Sequence, residues 1–260
     1  VVGEVVLVDI DEERVAGEAM DLSHGAFFTG PVTVRTGDYE DCWDADVVVV
    51  TAGASQRPDE TRLDLMERNA DIFAEMIPQV TAGLDDDAVV LVVTNPVDVL
   101  SYVTWKVSDL PAERVIGSGT VLDTSRFRYV LGREFDLDPA NAHAYVVGEH
   151  GDSEVFVWSA TNLGGVPFER YCEANGVEDP ASFREAVESE VREAAYEIIE
   201  RKGRTNYGVA RAVAATVESV LGDEETIRTV STLVSGQHGV EGVYASLPCT
   251  LDRGGARDVH

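Results

Sequence analysis

The runs "DVVVVT" (residues 46–51) and "AVVLVVT" (residues 88–94) constrain the fold more than any other feature. Each is a short β-branched stretch with no polar alternation, so both faces of the strand must be covered. Helix-like segments lie around them. "EERVAGEAMDLSHG" has Val15, Ala19 and Leu22 near helical spacing and Gly25 as a stop signal. A long helix is expected from about Glu60 to Ala82, and "VLSYVTWKVSDL" reads as another, ended by Pro111. "EVVLVDID", "PVTVRTG" and "RVIGSGT" read as further strands. Strands alternating with helices predict an α/β fold built on a doubly wound parallel sheet. Such sheets carry their sites at the carboxyl ends of the strands, where Asp9, Gly53 and Asn95 fall.

After Gly119 the texture changes. A helix "DTSRFRYVLGREF" leads to a strand "AHAYVVGEHG" and then to "VFVWSATNLGGVPF". Helices follow at about Pro180 to Lys202 and Val209 to Leu221, and "TIRTVSTLVSG" and "GVYASLPCTLDRGG" read as antiparallel strands. The expected organisation is a first domain over 1–118 and a mixed α+β second domain over 119–260. The chain opens on a strand with no G-x-G-x-x-G turn before it and closes on strand rhythm at "RDVH". A chain lacking both ends of the complete fold is therefore expected.

Charge narrows the function. The 48 acidic and 20 basic residues give a net charge of −28, which argues against a nucleic-acid binder. The acids are spread along the chain rather than gathered in a tail, and such a surface repels itself unless salt screens it. Adaptation to a salt-rich cytoplasm is the expectation. Cys42, Cys172 and Cys249 have no CxxC or CxxH spacing, so neither a metal site nor a disulfide framework is indicated. No apolar run reaches the roughly 20 residues that span a bilayer, and no signal peptide is seen; a soluble cytoplasmic protein with no membrane partner is expected.

Four local patterns can carry chemistry. Asp9, ending the first strand, can accept both hydroxyls of an adenosine ribose, or act as a helix cap. "GEHGDS" sets His150 at a strand end near glycines that admit a ligand, where it can exchange protons near neutral pH; a structural histidine is the alternative. In "VLDTSRFR", Asp123 and Arg126 are three apart on one helix face, able to hold an imidazole and grip a carboxylate, or to form a cap and a surface ion pair. "VVTNPVD" puts Asn95 before Pro96, aimed outward for a ligand or merely turning the chain.

Taken together, "LVDID", "TAGASQRPDETRLDL", "TNPVD", "GTVLDTSRFR", "GEHGDS" and "KGRTNYG" resemble the lactate and malate dehydrogenase family over nearly the whole chain. The match looks nearest to bacterial-type NAD-dependent L-lactate dehydrogenases. The resemblance implies a Rossmann-type, dinucleotide-binding first domain and a substrate and catalytic second domain. It implies NAD as cofactor, with Asp9, Gly53, Asn95 and Val209 binding it. His150 would donate a proton to the substrate carbonyl, Asp123 would orient His150, and Arg62 would polarise the carbonyl from a closing loop. Arg126 would hold the substrate carboxylate, with Asn95 and Thr205 also at the substrate. The family's glycine-rich loop and C-terminal helix are not found in this sequence. A homotetramer is implied. A non-catalytic protein could dispense with His150, Asp123 and Arg126, and an NAD-dependent glycosidase would carry a cysteine and histidine metal cluster that is not visible.

The loop "AGASQRPDETR" bears on the substrate. In malate enzymes of the family an arginine stands six residues before the loop arginine; here that position is Gln56. A neutral amide leaves a second carboxylate without a partner, which favours pyruvate over oxaloacetate. Arg57 beside it keeps malate dehydrogenase as the alternative. Arg128 and His143 match the positions that form a fructose 1,6-bisphosphate site in the activated bacterial lactate enzymes, and a surface arginine and a strand histidine are the plain alternative.

Overall fold

The computed structural model describes residues 2–54 and 61–260, the side chain of Arg62 excepted. The first half alternates as expected: β1 (Glu4–Leu7), α1 (Glu12–His24), α2 (Ala26–Thr29), β2 (Thr33–Thr36), β3 (Val47–Val50), α3 (Arg62–Thr81), β4 (Val89–Val92), α4 (Val97–Ser108) and β5 (Val115–Gly117). Next come α5 (Val121–Glu134), β6 (Ala142–His143), β7 (Val146–Val147), β8 (Val155–Phe156), β9 (Asn162–Leu163), β10 (Val166–Pro167), α6 (Phe168–Ala174), α7 (Pro180–Lys202) and α8 (Tyr207–Leu221). The chain continues through β11 (Thr226–Ser235), β12 (Glu241–Asp252) and β13 (Gly255–Val259).

Side-chain chemistry sets the helix boundaries. Thr61 and Asp64 form a reciprocal capping box at the start of α3, and Asp179 followed by Pro180 starts α7. Gly203, at φ 81°, ends α7 in the left-handed conformation that glycine adopts without a Cβ clash. In α1, Val15 and Ala19 are buried but Leu22 is 53% exposed, so the apolar stripe is narrower than its spacing suggests.

β3, β4 and β5 pair in parallel, and β4 is buried along its whole length. Its side chains alternate between two cores. Val90 and Val92 pack with Val50, Phe73, Ile77 and Leu100, whereas Val89 and Leu91 pack with Ile116, Val220, Val230 and Leu251. Each such fully buried side chain stabilises the fold by about 1.5–3 kcal/mol relative to exposure. A third core joins Phe127, Leu131, Leu163, Phe168, Val187 and Val191.

The sheet topology adds what spacing did not indicate. β11, β12 and β13 are antiparallel, as expected, but they extend the parallel strands into one six-stranded mixed sheet ordered β13-β12-β11-β5-β4-β3. The join is the pair Ser231↔Gly117. β1 and β2 pair in parallel with each other as a separate two-stranded sheet. The single strand expected at "AHAYVVGEHG" is two short ones, β6 and β7, which pair with different partners. Among the described residues no helix is long and apolar enough to cross a membrane.

Candidate active site

The site begins at the first turn of α5. Gly119 stands at φ 48°, and a Cβ there would come within 2.5 Å of both the Ser231 backbone nitrogen and Ser246 Oγ. Only glycine lets the chain pass so close, and the Thr120 N–H then donates to Ser246 Oγ at 3.0 Å and to the Thr229 carbonyl at 3.1 Å. Thr124 Oγ1 accepts the Val146 N–H at 2.9 Å and meets Thr229 Oγ1 at 2.9 Å. The helix start is thus fastened to β7 and β11. On its inner face Asp123 and Arg126 sit three apart.

Beyond β7, Gly148 exchanges two 2.8 Å backbone hydrogen bonds with Ser246, and the chain bends into His150. His150 Nδ1 meets Asp123 Oδ2 at 2.6 Å, and Arg126 donates to Asp123 Oδ1 at 2.7 Å. The Asp123 side chain is 5% exposed, that of Arg126 16% and that of His150 25%. One buried carboxylate therefore serves both cations, while His150 Nε2 keeps no partner among the described residues. The His150 backbone N–H donates to Asp98 Oδ2 at 2.9 Å, and Ser231 Oγ donates to Asp98 Oδ1 at 2.6 Å.

These contacts set the ionisation. Burial works against the charged imidazole, but the Asp123 hydrogen bond and the charges of Asp123, Asp98 and Glu154 outweigh it and raise the His150 pKa above its ordinary value. Burial likewise works to raise Asp123, and His150 and Arg126 outweigh it, holding the carboxyl low. Burial raises Asp98, against its bonds to Ser231 and His150. The centre is a protonatable imidazole and a guanidinium held rigidly by one carboxylate. Such a pair can move a proton to an oxygen and bind an anion beside it.

Other expected residues surround this centre to different degrees. Asn95 is exposed at the end of β4, its bond to Pro96 being cis. Thr205 and Val209 are half-buried where α8 begins, and there Gly208 lies against Leu122 of α5. Gly53 follows β3, where a Cβ would come within 2.6 Å of Thr94 Cγ2. Asp9 is exposed beyond β1; it accepts the Asp11 N–H at 3.0 Å, and Asp11, not Asp9, caps α1. Arg62 is the first residue of α3. Gln56 and Arg57 lie outside the described residues. Away from the centre, the Arg128 guanidinium donates to the Ala142 carbonyl, beside exposed His143.

Sequence reasoning missed Asp98, Asn69 and Glu154. Asp98 lies in the quoted "TNPVD", three residues after Asn95, and that acid so close to a ligand-facing amide was the available signal. Asn69 is 1% exposed on α3, and its Oδ1 accepts the Ala54 N–H at 2.8 Å, while Thr94 Oγ1 donates to the Ala52 carbonyl at 2.7 Å. Together they clamp the strand end that carries Gly53.

Residues 1–117 match the profile described as lactate/malate dehydrogenase, NAD binding domain, and residues 120–260 match the lactate/malate dehydrogenase alpha/beta C-terminal domain. The chain belongs to the lactate/malate dehydrogenase family. Its members are oxidoreductases that use NAD, and the first of the two matched domains is the one that binds it. Among relatives, the chain is similar to L-lactate dehydrogenase 1 of Clostridium acetobutylicum, with 49% identity over 98% of this chain and 82% of the relative. It is 50% identical to an L-lactate dehydrogenase of Clostridium botulinum, over 97% of this chain and 79% of that one. Among solved structures, a lactate dehydrogenase enzyme from a Medee basin deep-sea metagenome library superposes with a TM-score of 0.95 at 41% identity, covering 99% of this chain and 82% of the other. The minor L-lactate dehydrogenase of Enterococcus mundtii gives 0.93 at 40% identity, with the same coverage.

Proposed function

We propose that the chain is an L-lactate dehydrogenase, which moves hydride reversibly between NADH and pyruvate with His150 as proton donor and acceptor. The observation that carries the reading is the carboxylate of Asp123 shared between His150 and Arg126 at 2.6 and 2.7 Å. Reducing a ketone to an alcohol requires a proton at the carbonyl oxygen. His150, raised above its ordinary pKa of 6.5 and with Nε2 unpartnered among the described residues, has one to give near neutral pH. Asp123 fixes the tautomer, because it occupies Nδ1. Arg126 gives one N–H to Asp123 and retains the others for a bidentate grip on the substrate carboxylate.

The residues at the strand ends fit NAD. The Asp9 carboxylate is exposed and free of capping duty, so it can accept ribose hydroxyls. Gly53 presents bare backbone at the carboxyl end of β3, Val209 offers an apolar surface, and Asn95 bridges toward the substrate. Bound NADH would supply the hydride. Arg62 is assigned to the substrate carbonyl, Thr205 to the pocket wall and Gln56 to the substrate's tail. The reading divides the chain into a cofactor domain over 1–118 and a catalytic domain over 119–260. Lactate is favoured over malate by the neutral Gln56.

Three finer assignments belong to this reading. Arg128 and His143 form a site for fructose 1,6-bisphosphate, supported by the hydrogen bond from Arg128 to the residue preceding His143. The chain assembles into a homotetramer, in keeping with the exposure of Met20 and Leu22 on α1 and of Phe27 and Phe28 on α2. The enzyme works in a salt-rich cytoplasm, in keeping with Glu185, Glu190, Glu193, Glu197 and Glu200 exposed along α7. The deciding experiment compares kcat/KM for pyruvate and oxaloacetate with NADH in molar salt. Pyruvate is expected to win, and a preference for oxaloacetate would refute the lactate reading. Activity unmoved by fructose 1,6-bisphosphate would remove the effector.

A further inference from the structure

Glu154 has entered so far only as one of the charges that raise His150, yet it is 5% exposed and its carboxylate has no hydrogen bond or ion pair among the described residues. Its backbone is firmly held: the N–H donates to the Gly151 carbonyl at 3.1 Å, and Arg192 of α7 donates to its carbonyl at 3.2 Å. Gly151 is the residue after His150, so this turn fixes Glu154 to the histidine loop. On the other side Arg192 lies over the Phe156 ring at 4.9 Å and pairs with Glu188 at 3.1 Å, while its buried Nε has no partner among the described residues. An unpaired carboxylate in such a place is costly unless it can take a proton.

The charges that act on it come from α5, α7 and the histidine loop. Asp123 of α5 opposes its ionisation, whereas His150, Arg192 of α7 and Arg126 of α5 favour it. Burial dominates and, with Asp123, pushes the Glu154 carboxyl up to about 7. A substrate carboxylate on Arg126 would cancel one of the charges that keep Glu154 ionised.

We propose that Glu154 is a positioning residue for the oxo acid, which takes up a proton from solvent when the substrate carboxylate engages Arg126 and so keeps that wall of the site neutral. The step is a transfer of one proton from water to the Glu154 carboxylate, with no bond formed to substrate. It rests on reading the centre as an oxo-acid site. Substrate affinity then falls as pH rises through neutrality, for a reason separate from the protonation of His150.

The test uses the intact enzyme with NADH, titrated with oxamate, an unreactive isostere of pyruvate. Calorimetry in two buffers of different protonation enthalpy reads the protons taken up. At pH 7 the wild type is expected to take up about half a proton more than Glu154→Gln. The variant should also flatten the rise of KM for pyruvate with pH and, having lost one of the charges that raise His150, shift the pH profile of kcat to lower pH. Equal proton uptake in two proteins that both bind oxamate would overturn the proposal. No oxamate binding by the wild type would instead overturn the oxo-acid reading, and the proposal with it. Should Glu154→Gln not fold, infrared difference spectra of Asp98→Asn, which removes the other raised carboxyl, serve in its place. A new protonated-carboxyl band on oxamate binding supports the proposal, and its absence overturns it.

Discussion

Asp98 holds His150 by the backbone: its Oδ2 accepts the histidine N–H at 2.9 Å across 52 residues of sequence. The other oxygen is held by Ser231 at 2.6 Å. The loop that presents the imidazole is therefore tied to the start of α4 and to β11, as well as to Asp123. Removing the acceptor in Asp98→Ala leaves an N–H and a hydroxyl unpaired. A loss of about 1–3 kcal/mol in urea unfolding is expected, with a lower kcat for pyruvate. Unchanged stability would show that water replaces the carboxylate at no cost.

His150→Asn removes the proton donor and keeps a polar side chain of similar reach. Turnover of pyruvate is expected to fall at least about 10²-fold, with NADH affinity measured by fluorescence nearly unchanged. Near-normal turnover would refute the assignment.

The His150–Asp123 pair gives stability its own pH window. His150 is raised above 6.5, so its contribution is complete below pH 6.5 and is lost as pH rises through the folded value. Asp123 is held below 3.8, so its contribution is present above pH 3.8 and is lost as pH falls through the folded value. The Tm difference between wild type and His150→Asn should be largest between pH 3.8 and 6.5 and narrow above neutrality. A difference that grew with pH would contradict the pairing.

Gly119→Ala adds a Cβ at φ 48°, within 2.5 Å of the Ser231 nitrogen and Ser246 Oγ. Backbone strain and the clash together should cost more than about 1 kcal/mol, read as a lower urea midpoint. Because Asp123 rides on the displaced helix start, kcat should fall with it. A variant as stable and active as wild type would mean that the β11–β12 hairpin yields easily.

Gln56→Arg tests the substrate's tail. Adding a counter-charge six residues before Arg62 is expected to shift the ratio of kcat/KM toward oxaloacetate by about tenfold or more, the scale of a charge-assisted hydrogen bond. An unchanged ratio would show that Gln56 does not face the substrate.

The sequence alone determined the strand–helix alternation, because β-branched runs without polar alternation have no stable use except between two covered faces. It also offered His150, Asp123 and Arg126 as candidates, through "GEHGDS" and "VLDTSRFR" and the family those motifs resemble. Tertiary structure decided that one carboxylate serves both cations, and that β11 to β13 complete the sheet through Gly117 and Ser231. It alone revealed Asp98 and Glu154. In sequence Asp98 passes for an acid in a helix's first turn, and Glu154 for one more carboxylate among 48 acids. What distinguishes them is burial and partners 52 or 133 residues away for Asp98, and burial without a partner among the described residues for Glu154. Desolvation depends on the whole surrounding shell, and no local spacing encodes it.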